Sequence, residues 1–279
     1  WPALGAALGL ITVGAVALIL IVSPPSSGDG LPLFGSGELR TRELSHPLDG
    51  VERARIELNL SQWPTSVVTR ADQPNLLEAR IDYTGELRFR ASGTTSRPAV
   101  RLSRAGFLSW FSGDDEGQWD IVLSPAVPLE LVVDAGSGRA EMDLRSLSLD
   151  ALEVEGGSGA LQADLPAGAY PLRVDVGSGP MAITVAAGAT LDADVEGGSG
   201  RLALAIGPSA EGEMRFDGGS GPADITVGES ANVRLTVEGG SGAVRVELDP
   251  GIPMRIEVDD VGSGGVSLPD GLRRTAGNE

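Results

Sequence analysis

Apolar and polar residues alternate strictly in a series of short segments between residues 140 and 248. Six such segments each carry three apolar residues at every second position. A period of two places these residues on one face of a β-strand and the intervening residues on the other. The pattern therefore predicts six half-buried strands. Their predicted inward residues are Ala140, Met142, Leu144, Leu161, Ala163, Leu165, Met181, Ile183, Val185, Leu202, Leu204, Ile206, Ala223, Ile225, Val227, Val244, Val246 and Leu248.

A Gly-Ser-Gly unit precedes each of these strands, and a second alternating segment leads into the unit from the other side. The serines of these units recur every 20 to 22 residues, a period that no flexible linker keeps. Two short strands and two turns in about 21 residues predict an all-β, single-stranded β-solenoid with glycine corners. A Cβ at these corners would meet the neighbouring coils, and some corner residues would need a positive φ. The serines are Ser137, Ser158, Ser178, Ser199, Ser220, Ser241 and Ser263.

The repeats occupy one of five regions into which the chain divides. Residues 1–22 carry no charge and, at about 1.5 Å per residue, can cross a hydrocarbon layer of about 30 Å, so we predict one N-terminal transmembrane helix. Residues 23–39 are rich in Pro, Gly and Ser and predict a tether. Residues 40–128 predict irregular β coils and a cap, 129–268 the regular solenoid, and 269–279 a polar tail.

Composition and charge exclude several kinds of partner and metal site. The 279 residues carry a net charge of −18, whereas nucleic-acid binding needs a basic face, so we expect no nucleic-acid partner. The chain has no cysteine, which excludes disulfides and thiolate metal sites. The single histidine, His46, excludes a multi-histidine metal centre, and we expect it to be an ordinary loop residue. We expect no cofactor.

One acid stands three residues before the serine of every corner. In a solenoid these carboxylates stack about 5 Å apart, where each neighbouring pair repels by about 1 kcal/mol in water-like surroundings. A solvated edge that discourages lateral aggregation is the leading explanation of the row. A divalent-cation or cationic-polymer site is the alternative, although the Gly-Gly-x-Gly-x-Asp turn of calcium-binding solenoids is absent. The candidate residues are Asp134, Glu155, Asp175, Glu196, Asp217, Glu238 and Asp260.

The stretch WDIVLSPAVPLELVVDAGSGRAEMDLRSLSLDALEVEGGSGALQADLP resembles the toast-rack β-repeat domain of bacterial LiaF-type envelope-stress proteins and of related PspC-associated and adhesin-type domains. Its matching positions are Trp119, Pro125, Pro128, Gly136 and Gly138. The resemblance implies a toast-rack-like solenoid in a membrane-anchored bacterial protein. It brings no catalytic residues. The regular Gly-Ser-Gly array is closer to the adhesin-type relatives.

Two classes of function fit this sequence. The first is a membrane-anchored, non-enzymatic bacterial envelope protein that presents a rigid solenoid for protein interaction, in envelope-stress sensing. The alternative is a structural or adhesive surface element that self-associates end to end. An enzyme is the third class, but the corner serines have no histidine that would activate them.

The expected partners are membrane lipid, through residues 1–22, and an unidentified protein. The expected location is the bacterial plasma membrane. We expect the solenoid outside the cytoplasm, because no basic flank follows residue 22.

Overall fold

The computed structural model describes residues 39–105, 117–249, 255–260 and 262–267, which form β-strands, turns and irregular segments. The strands build two sheets, here called sheet A and sheet B. The predicted transmembrane helix at residues 1–22 lies outside these ranges, as do most of the predicted tether and all of the predicted tail. Within the described ranges, no helix has the length and apolar character needed to cross a membrane.

The strands are numbered in chain order. They are β1 (Arg40–Pro47), β2 (Ala54–Asn59), β3 (Thr65–Thr69), β4 (Asn75–Tyr83), β5 (Glu86–Gly93), β6 (Pro98–Ala105), β7 (Trp119–Leu123), β8 (Leu129–Asp134), β9 (Ala140–Asp143), β10 (Leu149–Glu155), β11 (Leu161–Leu165), β12 (Ala169–Asp175), β13 (Met181–Val185), β14 (Thr190–Glu196), β15 (Leu202–Ile206), β16 (Glu211–Asp217), β17 (Ala223–Val227), β18 (Asn232–Glu238), β19 (Val244–Leu248), β20 (Arg255–Asp260) and β21 (Val266–Ser267).

From β8 onward the chain alternates between the two sheets. Each sheet-B strand leads through a Gly-Ser-Gly corner into a sheet-A strand, and each strand pairs in parallel with its counterpart one coil away. The register follows the sequence period, so that Ile183 pairs with Ala163 on one side and with Leu204 on the other. The predicted all-β solenoid with about 21 residues per coil is confirmed.

The core fills the space between the sheets. Of the eighteen predicted inward residues, seventeen are buried and only Leu248 is partly buried. Leu248 ends β19, whose outer neighbour β21 pairs only with Val244 and Arg245. Within the described part of the chain, no strand pairs with Leu248 on that side. Apolar burial of about 1.5–3 kcal/mol for each large side chain explains why the alternation persists through every coil.

The corner glycines are required by space. A Cβ on Gly157 would lie 1.5 Å from the carbonyl oxygen of Gly136, and a Cβ on Gly198 would lie 1.4 Å from that of Val176. A positive φ is found among the described corner glycines only at Gly136, at 63°, and at Gly262, at 58°. The expectation of positive φ therefore holds at two corners. Elsewhere the close approach of the next coil excludes a side chain.

Coils at the N-terminal end are stacked out of chain order. Strand β2 lies between β6 and β8 in sheet B, and β3 lies between β7 and β9 in sheet A. The coil β2–β3 is therefore inserted between the coils β6–β7 and β8–β9. Its corner contains no glycine and lies beside Gly138, whose Cβ would be 2.4 Å from the carbonyl oxygen of Trp63. The irregular part of residues 40–128 is thus a change in the order in which the coils stack.

Antiparallel strands complete this end of the stack. Strands β1 and β4 extend sheet A beyond β7, and β5 pairs with β6 at the edge of sheet B. Trp119, at the start of β7, is fully buried, and its indole N–H donates to the carbonyl oxygen of Asp82 at 2.9 Å. That hydrogen bond satisfies the polar atom of a large core side chain.

His46 lies in β1 and not in a loop, opposite Leu77 of β4. Burial lowers the pKa of His46 below its ordinary value of 6.5. The unfolded chain therefore binds the proton more tightly than the folded chain. We expect stability to fall as the pH drops below about 6.5 and the loss to be complete below the folded pKa.

The test compares urea midpoints of the protein and of His46→Gln between pH 8 and pH 5. The two curves should diverge as the pH falls, with the wild type losing more. Parallel curves would contradict a lowered pKa of His46 in the folded chain.

Candidate functional site

The seven acids that precede the corners lie side by side at the ends of the sheet-B strands, and we call them the acidic ladder. Each member pairs with the member one coil away, in an unbroken register except for a shift just before the last pair, Glu238 and Asp260. Parallel neighbours are about 4.7–4.9 Å apart between strands, which is the stacking that the sequence predicts. The members are Asp134, Glu155, Asp175, Glu196, Asp217, Glu238 and Asp260.

Few of the described side chains neutralise the carboxylates of the acidic ladder. Arg215, on the outer face of β16, donates a hydrogen bond to Glu238 of the next coil. At the other end, Asp134 accepts hydrogen bonds from the backbone N–H of Gly136 at 3.1 Å and from the side-chain amide of Asn59 at 3.5 Å. Asn59 occupies the ladder position in β2, so the row of acids ends there. The ladder is a solvated edge bordered by one arginine and one amide.

The geometry of the ladder differs from that of a metal centre. Its carboxylates belong to successive parallel strands and form a line. Among the described residues, no group of three or more His, Cys, Asp or Glu is placed to hold a metal ion. Cation binding by the ladder therefore remains a prediction that the fold neither requires nor tests.

Removing one ladder charge is expected to stabilise the fold. Glu196 lies between Asp175 and Asp217. Glu196→Gln should therefore raise the free energy of unfolding by up to about 2 kcal/mol at low salt, because two repulsive pairs of about 1 kcal/mol each are lost. The gain should shrink in 1 M NaCl through screening. Urea unfolding at both salt concentrations measures it.

Glu238→Gln is the matched control on the same ladder. It removes the same kind of repulsion but also the ion pair with Arg215, so its gain should be smaller than that of Glu196→Gln. Equal gains from both variants, or a gain that does not depend on salt, would contradict the proposed repulsion.

The outer face of sheet A has a different character. Small uncharged side chains cover a short stretch of β13, β15 and β17 there, and we call this stretch the neutral face. Charged residues border it on both sides along the stack: Glu141, Asp143, Asp164, Asp224, Arg245 and Glu247. Asp224 pairs in register with Ala203 and forms an ion pair with Arg201 at 2.8 Å. The small residues of the neutral face are Ala182, Thr184, Ala203, Ala205 and Thr226.

The sequence interpretation missed a basic site at the N-terminal end of sheet B. Four arginines from β5 and β6 line a cleft of about 580 Å³ that also reaches the end of β2. We call it the arginine cleft. A signal was present, because LRFR places Arg88 and Arg90 at alternate positions of one strand and VRLSR places two more arginines, Arg101 and Arg104, on the next strand. Its arginines are Arg88, Arg90, Arg101 and Arg104.

The family model that describes the N-terminal domain of toast_rack, DUF2154, matches residues 35–186. The match spans more than half of the chain and includes the out-of-order coils and the first regular ones. The chain belongs to this toast-rack family. The match ends just after β13, and the later coils continue the toast-rack repeat with the same register.

Several solved structures of bacterial proteins show limited similarity to this toast-rack protein. A candidate cell adhesion protein from Clostridium sporogenes has 14% identity and a TM-score of 0.38, with 83% of this chain and 98% of that chain covered. A candidate adhesin from Bacteroides fragilis has 12% identity and a TM-score of 0.38, with 83% and 97% covered.

A candidate lipid binding protein from Parabacteroides distasonis has 14% identity and a TM-score of 0.40, with 84% of this chain and 98% of that chain covered. These scores are too low to carry an inference about the toast-rack protein. No curated protein matches the chain significantly.

Proposed function

We propose that this toast-rack protein is a membrane-anchored, non-enzymatic protein of the bacterial envelope that presents a rigid β-solenoid to protein partners. The observation that supports the proposal is the in-register stacking of the coils, which repeats each outward side chain at a fixed interval. Such faces offer many equivalent contacts to an elongated or repeated partner. Residues 1–22 would supply the anchor, with the solenoid outside the cytoplasm.

The neutral face of sheet A is the better candidate for the protein contact. Interfaces are depleted in charged residues at their centre, whereas the ladder side of sheet B carries a row of carboxylates. Small side chains such as Ala203 and Thr226 also allow a partner's backbone to approach closely. A role in envelope-stress sensing would follow if the partner is a membrane-bound sensor kinase.

Site-specific crosslinking tests this proposal in living cells. A photoreactive residue at Ala203 should capture a specific protein, and the same residue at Asp194, on the outer face of sheet B, should not. Recovery of a sensor kinase would support stress sensing. Equal capture from both faces, or none from Ala203, would overturn the assignment of the face.

A separate measurement tests the location of the solenoid. Protease added to intact cells should cleave it if it lies outside the cytoplasm. Protection in intact cells combined with cleavage after lysis would place the solenoid inside.

Self-association end to end is the second candidate. Strands β20 and β21 are the outermost described strands at this end of the two sheets, and both run parallel to their neighbours. An edge of this kind offers unpaired backbone groups to a further strand. Sedimentation velocity should then show species that grow with protein concentration. A single species at every concentration would exclude this candidate.

A further inference from the structure

The charge on the outer face of sheet B changes from negative to positive near its N-terminal end. On β8 and the regular strands beyond it, the position before each corner holds a ladder acid. On β2, β6 and β5, the corresponding positions hold Asn59, Ser103 and Arg88. Two residues further from the corner, β6 holds Arg101 and β5 holds Arg90. Acidic residues on β8 are thus replaced by arginines within three strands, a distance of about 15 Å.

Two of these arginines are held directly opposite each other. Arg90 of β5 pairs with Arg101 of β6 in an antiparallel ladder. Side chains in that relation have Cβ atoms about 4.5–5.5 Å apart, and like charges there are destabilising. Arg90 has no ion pair or hydrogen-bonded side-chain partner among the described residues. An anion bound between the two guanidinium groups would remove their repulsion.

Neighbouring side chains hold the other guanidinium groups in place. One nitrogen of Arg101 lies 3.5 Å from a carboxylate oxygen of Glu57. The guanidinium of Arg104 lies 5.4 Å from the ring centroid of Trp63 and donates to the side-chain oxygen of Gln62 at 3.5 Å. Burial lowers the pKa of Arg104, so its charge is partly desolvated. Partly desolvated charges fixed by a second contact favour a bound counter-ion.

The cleft between these groups has the size of a ligand site. Its volume of about 580 Å³ falls within the usual range for small-molecule pockets. Its one carboxylate, Asp134, already accepts hydrogen bonds from Gly136 and Asn59. Two further carboxylates lie beside the lining, where Glu57 contacts Arg101 at 3.5 Å and Glu86 pairs with Arg88 at 3.0 Å. The four arginines exceed these three carboxylates by one, in a chain whose net charge of −18 repels anions elsewhere.

We propose that the arginine cleft binds a phosphate-bearing ligand. Guanidinium groups form paired hydrogen bonds with phosphate oxygens, and a phosphate dianion can neutralise two facing arginines at once. The proposal goes beyond the presentation of the solenoid to proteins and stands whether or not that function is correct. The phosphate can belong to a soluble molecule or to a lipid headgroup.

Calorimetric titration of the full 279-residue chain in a nonionic detergent tests the proposal. The probes are inorganic pyrophosphate, and phosphatidylglycerol added to the same micelles with phosphatidylcholine as the zwitterionic reference. Arg90→Gln combined with Arg101→Gln should weaken phosphate binding at least about tenfold, because charge-assisted hydrogen bonds are lost. Arg90→Lys combined with Arg101→Lys should weaken it less, because charge is kept without the planar fork.

Arg215→Gln combined with Arg234→Gln is the matched control, since it removes two arginines from the same face of sheet B outside the cleft. Its affinity for the probes should stay within about twofold of the wild type, because those positions lie outside the cleft. An equal loss of affinity in both double variants would show a nonspecific charge effect and overturn the proposed site. If none of the probes binds, the proposal is also overturned. Pyrophosphate binding alone supports a soluble ligand, and preference for phosphatidylglycerol over phosphatidylcholine supports a lipid headgroup.

Discussion

Gly198→Ala is expected to destabilise the solenoid by at least about 3 kcal/mol, the upper end of overpacking costs. The new Cβ would lie 1.4 Å from the carbonyl oxygen of Val176 and 2.3 Å from that of Gly177. Both neighbours are backbone atoms, so no side chain can rotate away. The oxygen of Gly177 also accepts hydrogen bonds from Ser199 at 3.1 Å and Gly200 at 3.0 Å. Adjacent coils must separate, and these hydrogen bonds break with them.

Gly188→Ala provides the control in the opposite turn of the same solenoid. A Cβ there meets nothing within 4 Å, but φ is +70°, so the cost is limited to backbone strain of about 1–2 kcal/mol. Urea denaturation followed by circular dichroism compares the two variants with the wild type. A larger loss for Gly188→Ala than for Gly198→Ala would show that φ, and not space, selects glycine at the corners.

The sequence contains enough information to predict the regular coils because three independent patterns share one period. Alternation selects the inward residues, Gly-Ser-Gly marks the corner, and the acid before the corner fixes the position of the outer face. Residues such as Ile183 and Glu196 could therefore be assigned to a face and a register before any coordinates. Each pattern is local, and a parallel solenoid turns local repetition into three-dimensional order.

The N-terminal coils were predicted only as irregular, for a physical reason. The coil β2–β3 turns at Ser61 to Trp63 without glycine, so the Gly-Ser-Gly signal that marks the other corners is absent there. It also pairs with β6 and β8, which lie far from it in sequence, so no period reveals its place. The arginine cleft depends in part on the same non-local pairing, because the β5–β6 hairpin lines it together with Asn59 and Asp134, which lie far from that hairpin in sequence. Arg90 and Arg101 face each other across the hairpin itself.

One departure from the repeat lies inside the regular core. In the inward column next to the corners, valine occupies every described coil from β8 to β18 except the coil of Phe216. The first inward residue after that corner is Ala223, whereas the three preceding coils have Leu202, Met181 and Leu161, and the first regular coil has Ala140. Phe216 and Ala223 are both buried. A large residue before the corner thus accompanies a small one after it, which keeps the volume within that coil nearly constant.

Phe216→Ala should cost about 3–5 kcal/mol, the usual range for a fully buried phenylalanine. The double variant Phe216→Val, Ala223→Leu restores the pair found in the coil of Val195 and Leu202. We expect it to lose less than about 1.5 kcal/mol, whereas Phe216→Val alone leaves a cavity and Ala223→Leu alone overpacks the coil by about 1–3 kcal/mol. Urea midpoints of the three variants form a double-mutant cycle. If the two single costs simply add in the double variant, the two residues do not compensate for one another, and Phe216 must owe its place to other neighbours.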